Sequence, residues 1–224
     1  MSNNQVTITK FQNMSKLATR MRDDLNNQNF VLLYAYNGTG KTRLSMEVKA
    51  QNQRKNNNVS NTLYFNAYTE DLFYWNNELE PKLFINSESQ FFNGLKDLSL
   101  EDKIRFYLNR YAEFDFKIDY DSWFISFSYP DEPDKLIKIS RGEEVIFIWC
   151  LFLALCQLVY EKHESYQWVK YIYIDDPVSS LDDNNTIAIA CDLAKLLKDN
   201  KDNFKAIISS HHGLFFNVMC NELK

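Results

Sequence analysis

The sequence predicts an α/β protein that binds its ligand at the carboxyl ends of its strands. Short apolar runs alternate with helical patterns along the chain, an order that is typical of an α/β fold. Polar motifs follow directly after several of these runs, which is where open α/β sheets bind ligands. With 224 residues, 45% of them hydrophobic, the chain can bury a large core. We expect one domain over residues 1–224.

The first third of the chain predicts a strand, a loop, a helix and a second strand. An apolar run at 30–34 leads into a glycine-containing loop at 35–42. A helix is expected from residue 41 to about residue 53, and a strand is expected at 62–65. The Asn-rich sequence between them predicts a surface loop.

The middle third, at about 71–135, predicts an inserted arm or smaller lobe. Residues 71–98 have no clear pattern, whereas residues 100–112 look helical. Residues 114–127 alternate apolar and polar side chains like a β-hairpin, with the turn near 119–121.

The last third predicts a buried helix and two further strands. The most apolar stretch, 145–160, is shorter than the roughly 20 residues that a membrane-spanning helix needs, so a buried helix is expected. Strands are expected at 169–174 and 204–208, with a helix at about 184–198 between them. The sequence contains no long heptad run, so we expect no coiled-coil arm within the chain.

Charge and cysteine usage indicate a cytoplasmic protein without a membrane partner. A formal net charge of -5 gives no global attraction for nucleic acid or an anionic membrane, so a nucleic-acid partner is possible but has no support. Residues 1–12 lack the basic region and apolar run of a secretory signal. Four cysteines without a CxxC pair suggest reduced thiols in the core: Cys150, Cys156, Cys191 and Cys220.

Residues 35–42, AYNGTGKT, have the composition of a phosphate-binding loop. Such a loop needs convergent backbone N–H groups, glycines that let the backbone approach, a lysine for charge and a hydroxyl for Mg²⁺. Ala35 stands where the full pattern has glycine, and it fits if its backbone is not left-handed. A glycine-rich turn without a ligand would leave Lys41 without a function. The candidate nucleotide-binding residues are Asn37, Gly38, Thr39, Gly40, Lys41 and Thr42, and Thr42 is also a candidate metal ligand.

Two adjacent carboxylates, Asp175 and Asp176, follow the apolar strand predicted before them. A strand of this kind holds Mg²⁺ through one carboxylate and orients or deprotonates the attacking water through the next. Asp175 is therefore the candidate metal ligand and Asp176 the candidate catalytic residue. The alternative is an acidic turn that ends a strand.

Residues 139–143, ISRGE, stand at the start of the apolar helix. Serine followed three residues later by glutamate, here Ser140 and Glu143, is also an ordinary capping box. The segment resembles the ABC signature motif, written LSGGQ or LSxGE. In that family the signature serine and its helix N-terminus meet the γ-phosphate held by the partner subunit, which implies nucleotide contacts for Ser140 and Gly142.

Two further segments resemble ABC motifs. Residues 179–182, SSLD, match the D-loop that crosses the dimer interface, which implies a nucleotide-site role for Asp182. His211 follows a strand and two serines, where the family has a histidine that senses the γ-phosphate. A lone histidine is more often structural, and His212 is the weaker candidate.

Together these motifs resemble an ABC-type ATPase head of the SMC and RecF kind over nearly the whole chain. The resemblance implies a P-loop NTPase fold, ATP with Mg²⁺, and a homodimer formed on ATP binding. Asp176 departs from the family, which has glutamate there, so hydrolysis is expected to be slow. The glutamine of the family's Q-loop is also missing, and Asn66 is a possible substitute.

The sequence IDDPVSSLD at 174–182 is similar to the ATPase half of the PrrC and RloC-like anticodon nucleases. Those bacterial defence proteins couple an ATPase to an effector. Residues 67–138 contain no convincing nuclease constellation, and the chain ends soon after His211. We therefore expect an effector on another chain or on a missing portion of this one.

Two functions of different classes follow from these motifs. The first is an ATP-driven switch in which two heads close on two nucleotides and hydrolysis reopens them. The second is a nucleotide-binding scaffold with negligible hydrolysis, in which Ala35 and Asp176 reflect weakened catalysis. Membrane transport is disfavoured, because the Asp-Asp-Pro strand end is unlike that of transporter heads.

Overall fold

The computed structural model describes residues 8–66, 72–76, 81–89, 92, 96, 98, 100–199 and 203–224. The helices are α1 (Met14–Asp24), α2 (Lys41–Lys55), α3 (Glu101–Leu108), α4 (Arg141–Tyr160), α5 (Asp183–Asp199) and α6 (Gly213–Glu222). The strands are β1 (Phe30–Tyr34), β2 (Thr62–Asn66), β3 (Phe73–Asn76), β4 (Lys82–Ile85), β5 (Asp115–Asp119), β6 (Phe124–Tyr129), β7 (Glu132–Ile137), β8 (Tyr171–Asp175) and β9 (Lys205–Ser210).

Four strands form a parallel sheet in the order β1-β9-β8-β2. The sequence predicted all four, with bounds within about two residues of those observed, and the α/β class is confirmed. Because parallel strands end at the same edge, the loops after β1, β8 and β9 lie side by side. In register, Asp175 pairs with Asn66 on one side and Ser209 on the other.

Helix α4 is the centre of the core. Almost all of its residues after the first turn are buried, and Phe147, Trp149 and Phe152 are fully enclosed. By length and composition α4 could cross a membrane, but 78% of its apolar window is buried inside the protein. A helix that is hydrophobic on all sides is normally a core helix when the protein covers it. The prediction of a buried helix is confirmed.

The chain between β2 and α4 contributes a second, antiparallel sheet in the order β3-β4-β6-β5, with β7 also paired to β6. The hairpin of β5 and β6 was predicted, and Asp119 accepts hydrogen bonds from the N–H groups of Asp121 and Ser122 in its turn. The expectation that 71–98 is irregular is wrong, because β3 and β4 lie within it. The boundaries of the lobe, 71–135, stay a prediction, since residue 71 lies outside the described residues.

Helix α1 was not predicted, although it carries a recognisable cap. The Asn13 side chain accepts a hydrogen bond from the Lys16 N–H at 3.0 Å, as an N-cap residue does. Ala18 and Met21 of α1 are buried in a small core with α2. Helix α1 thereby covers one side of α2, the helix that follows the candidate phosphate-binding loop.

A buried carboxylate joins α5 to the end of α3. Asp192 is 9% exposed, and it accepts hydrogen bonds from Arg110 at 2.6 Å and from the Tyr111 hydroxyl. Replacing Arg110 with alanine is expected to lower the free energy of unfolding by about 1–3 kcal/mol, because a buried acceptor loses its charged donor. The matched variant Lys103→Ala removes the more exposed pair with Glu161 and is expected to cost less than about 1 kcal/mol. Urea unfolding measures both, and equal losses would contradict the prediction.

Candidate functional site

The candidate phosphate-binding loop, residues 35–42, connects β1 to α2. Its first amide, that of Ala35, donates to the Ser210 carbonyl at 3.0 Å, so the loop starts beside the end of β9. Gly38 and Gly40 have φ angles of 79° and 95°, a left-handed conformation that favours glycine. Ala35 is not among the described residues with left-handed backbone, so alanine fits at this position.

Lys41 is a largely buried lysine whose ammonium group lies within the loop. Its Nζ donates to the carbonyls of Ala35 at 3.2 Å and Tyr36 at 3.4 Å, and to Asn37 Oδ1 at 3.2 Å. The same Nζ lies 3.2 Å from Asp176 Oδ2, and the two side chains are only 7% and 13% exposed. This ion pair between the loop lysine and the second carboxylate was not predicted.

Asp176 connects the loop to the end of β9. Its Oδ1 accepts the backbone N–H of His211 at 2.8 Å and lies 2.8 Å from the His211 ring Nδ1. Its φ angle is 48°, and its own N–H donates to the Ser209 carbonyl at 2.8 Å. The structure thus brings the two candidate catalytic residues, Asp176 and His211, into direct contact.

Asp175 is 2% exposed and has hydrogen-bond donors on both carboxylate oxygens. The hydroxyls of Thr42 and Tyr64 donate to Oδ2 at 3.0 and 3.3 Å, and the Ser209 hydroxyl donates to Oδ1 at 2.6 Å. Thr42 and Asp175, the two candidate metal ligands, are therefore neighbours. A hydroxyl beside a carboxylate is the hard oxygen donor set that Mg²⁺ prefers, so these residues fit the cation.

Two residues of this site, Tyr64 and Ser209, were not singled out from the sequence. Burial raises the pKa of Tyr64 to about 12, so its hydroxyl stays protonated as a donor. Asn66, the candidate Q-loop residue, donates from Nδ2 to the Tyr64 hydroxyl at 3.3 Å. Tyr64 lies in a predicted strand and Ser209 lies just after one, near the edge of the sheet where the carboxylates emerge. That position is the feature of the sequence from which their place in the site could have been predicted.

The side chains of the candidate signature and D-loop residues Ser140 and Asp182 make their hydrogen bonds outside this cluster. Ser140 caps α4 in a capping box with Glu143, with distances of 3.3 and 2.7 Å. A Cβ placed on Gly142 would meet the Ser180 carbonyl at 3.9 Å, so the two motifs adjoin. Asp182 accepts from the Asn185 N–H at 3.0 Å at the start of α5, a backbone hydrogen bond that lowers the pKa of Asp182.

His212, the weaker candidate for the γ-phosphate sensor, has a structural role. Its ring nitrogen accepts a hydrogen bond from the Phe215 N–H at 3.5 Å and thereby caps α6. His211 is the histidine that faces Asp176.

Comparison with known proteins identifies a curated relative of the chain. It aligns over 228 residues, at 40% identity, with an anticodon nuclease of Escherichia coli, and the alignment covers 86% of this chain. The chain is a relative of that anticodon nuclease. The predicted resemblance to anticodon nucleases is confirmed. The chain spans 57% of the length of the nuclease.

Two other comparisons add little to this relationship. No family model matches the chain. Among solved structures, the chain is similar to an SMC head bound to the C-terminal winged-helix domain of ScpA, at 11% identity and a TM-score of 0.39, covering 60% of this chain and 41% of that one. That score is too low to bear on the fold.

Proposed function

We propose that this chain binds and slowly hydrolyses ATP with Mg²⁺, as a switch that dimerises around the nucleotide and controls an effector. One observation carries the proposal: the phosphate-binding loop, two carboxylates and a histidine meet at one edge of the parallel sheet. Lys41, Thr42, Asp175, Asp176 and His211 are joined there by contacts of 2.8–3.2 Å. Phosphoryl transfer requires a positive charge for the phosphates, oxygen ligands for Mg²⁺ and a residue that positions the attacking water, and these residues would supply all three.

The phosphate-binding loop supplies phosphate recognition. Lys41 provides a buried positive charge, and the first amides of α2 lack intrahelical partners and so attract anions. Thr42 and Asp175 would hold Mg²⁺, which neutralises charge on the phosphates. The candidate nucleotide contacts of Asn37, Gly38, Thr39 and Gly40 belong to this same loop.

Asp176 is proposed to orient or deprotonate the attacking water. Its side chain is held between Lys41 and His211 and is 13% exposed, so it is close to both charged and polar neighbours. Aspartate is one methylene shorter than the glutamate of the ABC pattern. Slow turnover is the expected consequence.

The dimer is proposed because one protomer does not assemble all of the motifs. Ser140, Gly142 and Asp182 make contacts away from the loop cluster of their own chain. In the ABC arrangement these residues act on the nucleotide of the partner subunit. If ATP promotes dimerisation, dimerisation tightens ATP binding by the same free energy.

The effector is proposed from the relative. The Escherichia coli protein is an anticodon nuclease, and this chain spans 57% of it. We propose that the ATPase controls a nuclease, on a further portion of this protein or on a partner chain, in bacterial anti-phage defence. We propose a cytoplasmic location, because the substrate of an anticodon nuclease is found in the cytoplasm. No membrane partner is proposed.

A nucleotide-binding scaffold is the second candidate, and the Lys41–Asp176 ion pair favours it. The Lys41 ammonium group and the Asp176 carboxylate, which hydrolysis would need, form an ion pair with each other at 3.2 Å. A purified wild-type protein that binds ATP but releases no phosphate above the level of Asp176→Asn would support the scaffold. Turnover that Asp176→Asn removes, with binding kept, would support the switch.

The dimer is tested by the mass in solution of Asp176→Asn with Mg²⁺ and either ATP or ADP. Light scattering after size-exclusion chromatography is expected to give a dimer with ATP and a monomer of 26.6 kDa with ADP. Adding Lys41→Ala as a control should abolish the ATP-dependent dimer. If calorimetry records ATP binding but the mass stays that of a monomer, the dimer proposal is wrong.

A further inference from the structure

Tyr64 lies at the centre of a polar group beside the candidate metal site. Its hydroxyl oxygen is 3.3 Å from each of three atoms: Asp175 Oδ2, Asn66 Nδ2 and Ser45 Oγ. The ring is partly buried on β2 and packs at 6.0 Å from that of Tyr173. The side chain therefore touches the candidate metal carboxylate.

Hydrogen-bond chemistry fixes the direction of these contacts. A phenol has a single hydrogen, and a carboxylate can only accept, so Tyr64 donates to Asp175. The Tyr64 oxygen then accepts from the amide of Asn66. The Ser45 hydroxyl lies closer to the Thr42 carbonyl, at 2.7 Å, and has that acceptor as an alternative. The directed path runs from Asn66 through Tyr64 to Asp175.

The path also restricts how the Asp175 carboxylate can turn. Ser209 donates to Oδ1 from one side, and Tyr64 and Thr42 donate to Oδ2 from the other. Donors that hold a metal-binding carboxylate from behind orient it and tune its affinity. When Thr42 is engaged as a ligand, Tyr64 and Ser209 still donate to the carboxylate and keep it in place.

Resting on the function proposed above, we infer that Tyr64 is a positioning residue for the metal carboxylate. We further infer that Asn66 acts on the metal site through the Tyr64 hydroxyl rather than by touching the metal. The register supports this, because Asn66 pairs with Asp175 across β2 and β8 while its amide bonds to Tyr64. A displacement of the Asn66 side chain would then act on the metal carboxylate through the Tyr64 hydroxyl.

The test measures metal affinity without turnover. Mn²⁺ is titrated into protein saturated with a non-hydrolysable ATP analogue, and free Mn²⁺ is followed by electron paramagnetic resonance. Tyr64→Phe is expected to weaken Mn²⁺ binding about tenfold, the lower end of the effect of losing an outer-shell partner. Binding of the analogue without metal should stay unchanged.

Tyr171→Phe is the matched control. It removes a hydroxyl from a partly buried tyrosine on the strand that carries Asp175, but at the opposite end of that strand, four residues before the carboxylate. Mn²⁺ affinity in this variant should equal that of the wild type. Equal Mn²⁺ affinity in Tyr64→Phe and Tyr171→Phe would overturn the inference. A wild type that binds neither the analogue nor Mn²⁺ would instead overturn the proposed function.

Asn66→Ala separates the relay from a direct contact. If Asn66 acts through Tyr64, its loss weakens Mn²⁺ binding in the wild type but has no further effect in Tyr64→Phe. If adding Asn66→Ala to Tyr64→Phe lowers Mn²⁺ affinity by the full amount seen in the wild type, Asn66 acts on the metal independently of Tyr64. That result would contradict the second part of the inference. Since Asn66→Ala leaves the phenol in place, it also serves if Tyr64→Phe fails to fold.

Discussion

Asp176→Asn is expected to lower ATP turnover at least a hundredfold and, at the same time, to tighten ATP binding. The loss of turnover follows because the amide cannot accept a proton from water. A positioned general base contributes roughly 10²–10⁴-fold to a rate. Asparagine keeps an oxygen that can accept the His211 N–H, so the loop after β9 should keep its position.

The gain in binding follows from the ion pair in the free protein. Lys41 Nζ lies 3.2 Å from Asp176 Oδ2, and both side chains are largely buried. A bound phosphate competes with Asp176 for that ammonium group, and the negative charge of Asp176 also repels the phosphate. Removing one charge-assisted contact, worth about 1.5 kcal/mol at the low end, should tighten ATP binding roughly tenfold.

The two effects are measured separately, by phosphate release for turnover and by calorimetry for ATP affinity. Asp131→Asn, in the exposed turn before β7, is the matched control and should leave both quantities unchanged. If Asp176→Asn weakens ATP binding along with turnover, Asp176 stabilises the bound nucleotide. In that case phosphate and Asp176 do not compete for Lys41.

The site was predictable to the extent that local sequence carries its chemistry. The phosphate-binding loop and the Asp175–Asp176 pair follow strands whose apolar runs are plain in the sequence. Parallel strands bring their carboxyl ends together whatever the connections between them. The contact of Thr42 with Asp175, 133 positions apart, is therefore a consequence of strand order.

The roles of Tyr64 and Ser209 were not predictable, because they depend on register. Tyr64 reaches Asp175 only because β2 pairs directly with β8, and Ser209 does so because β9 pairs with β8 on the other side. Register is set by packing across the sheet, which a single sequence does not display. The ion pair of Lys41 with Asp176 depends on the same geometry.

Strands β3 and β4 were missed for a related reason. Each has four residues, too few for an alternating pattern to be distinguished from chance. Their pairing rests on distant aromatic contacts, such as Tyr74 stacked on Phe84 at 5.4 Å and Phe84 near Phe124 at 5.8 Å. Such cross-strand pairs stabilise a sheet but leave no local signature.

Lys41→Ala is expected to weaken ATP binding at least a hundredfold. The ammonium group is buried in the loop and held by the carbonyls of Ala35 and Tyr36. A unit charge about 4 Å from a phosphate is worth on the order of 4 kcal/mol at an effective dielectric constant of 20. Lys55→Ala, at the other end of α2, is the control and should leave the affinity unchanged.

The double variant shows whether Lys41 and Asp176 act on the nucleotide as one unit. If Asp176→Asn tightens ATP binding by releasing Lys41, the gain needs the lysine. In a Lys41→Ala background there is no lysine to release, so that part of the gain in affinity disappears. Only the smaller effect of removing a negative charge near the phosphate remains. Calorimetry on the four proteins gives this coupling energy directly. A gain that is the same with and without Lys41 would mean that Asp176 acts by general repulsion, and the ion pair would have no part in controlling nucleotide entry.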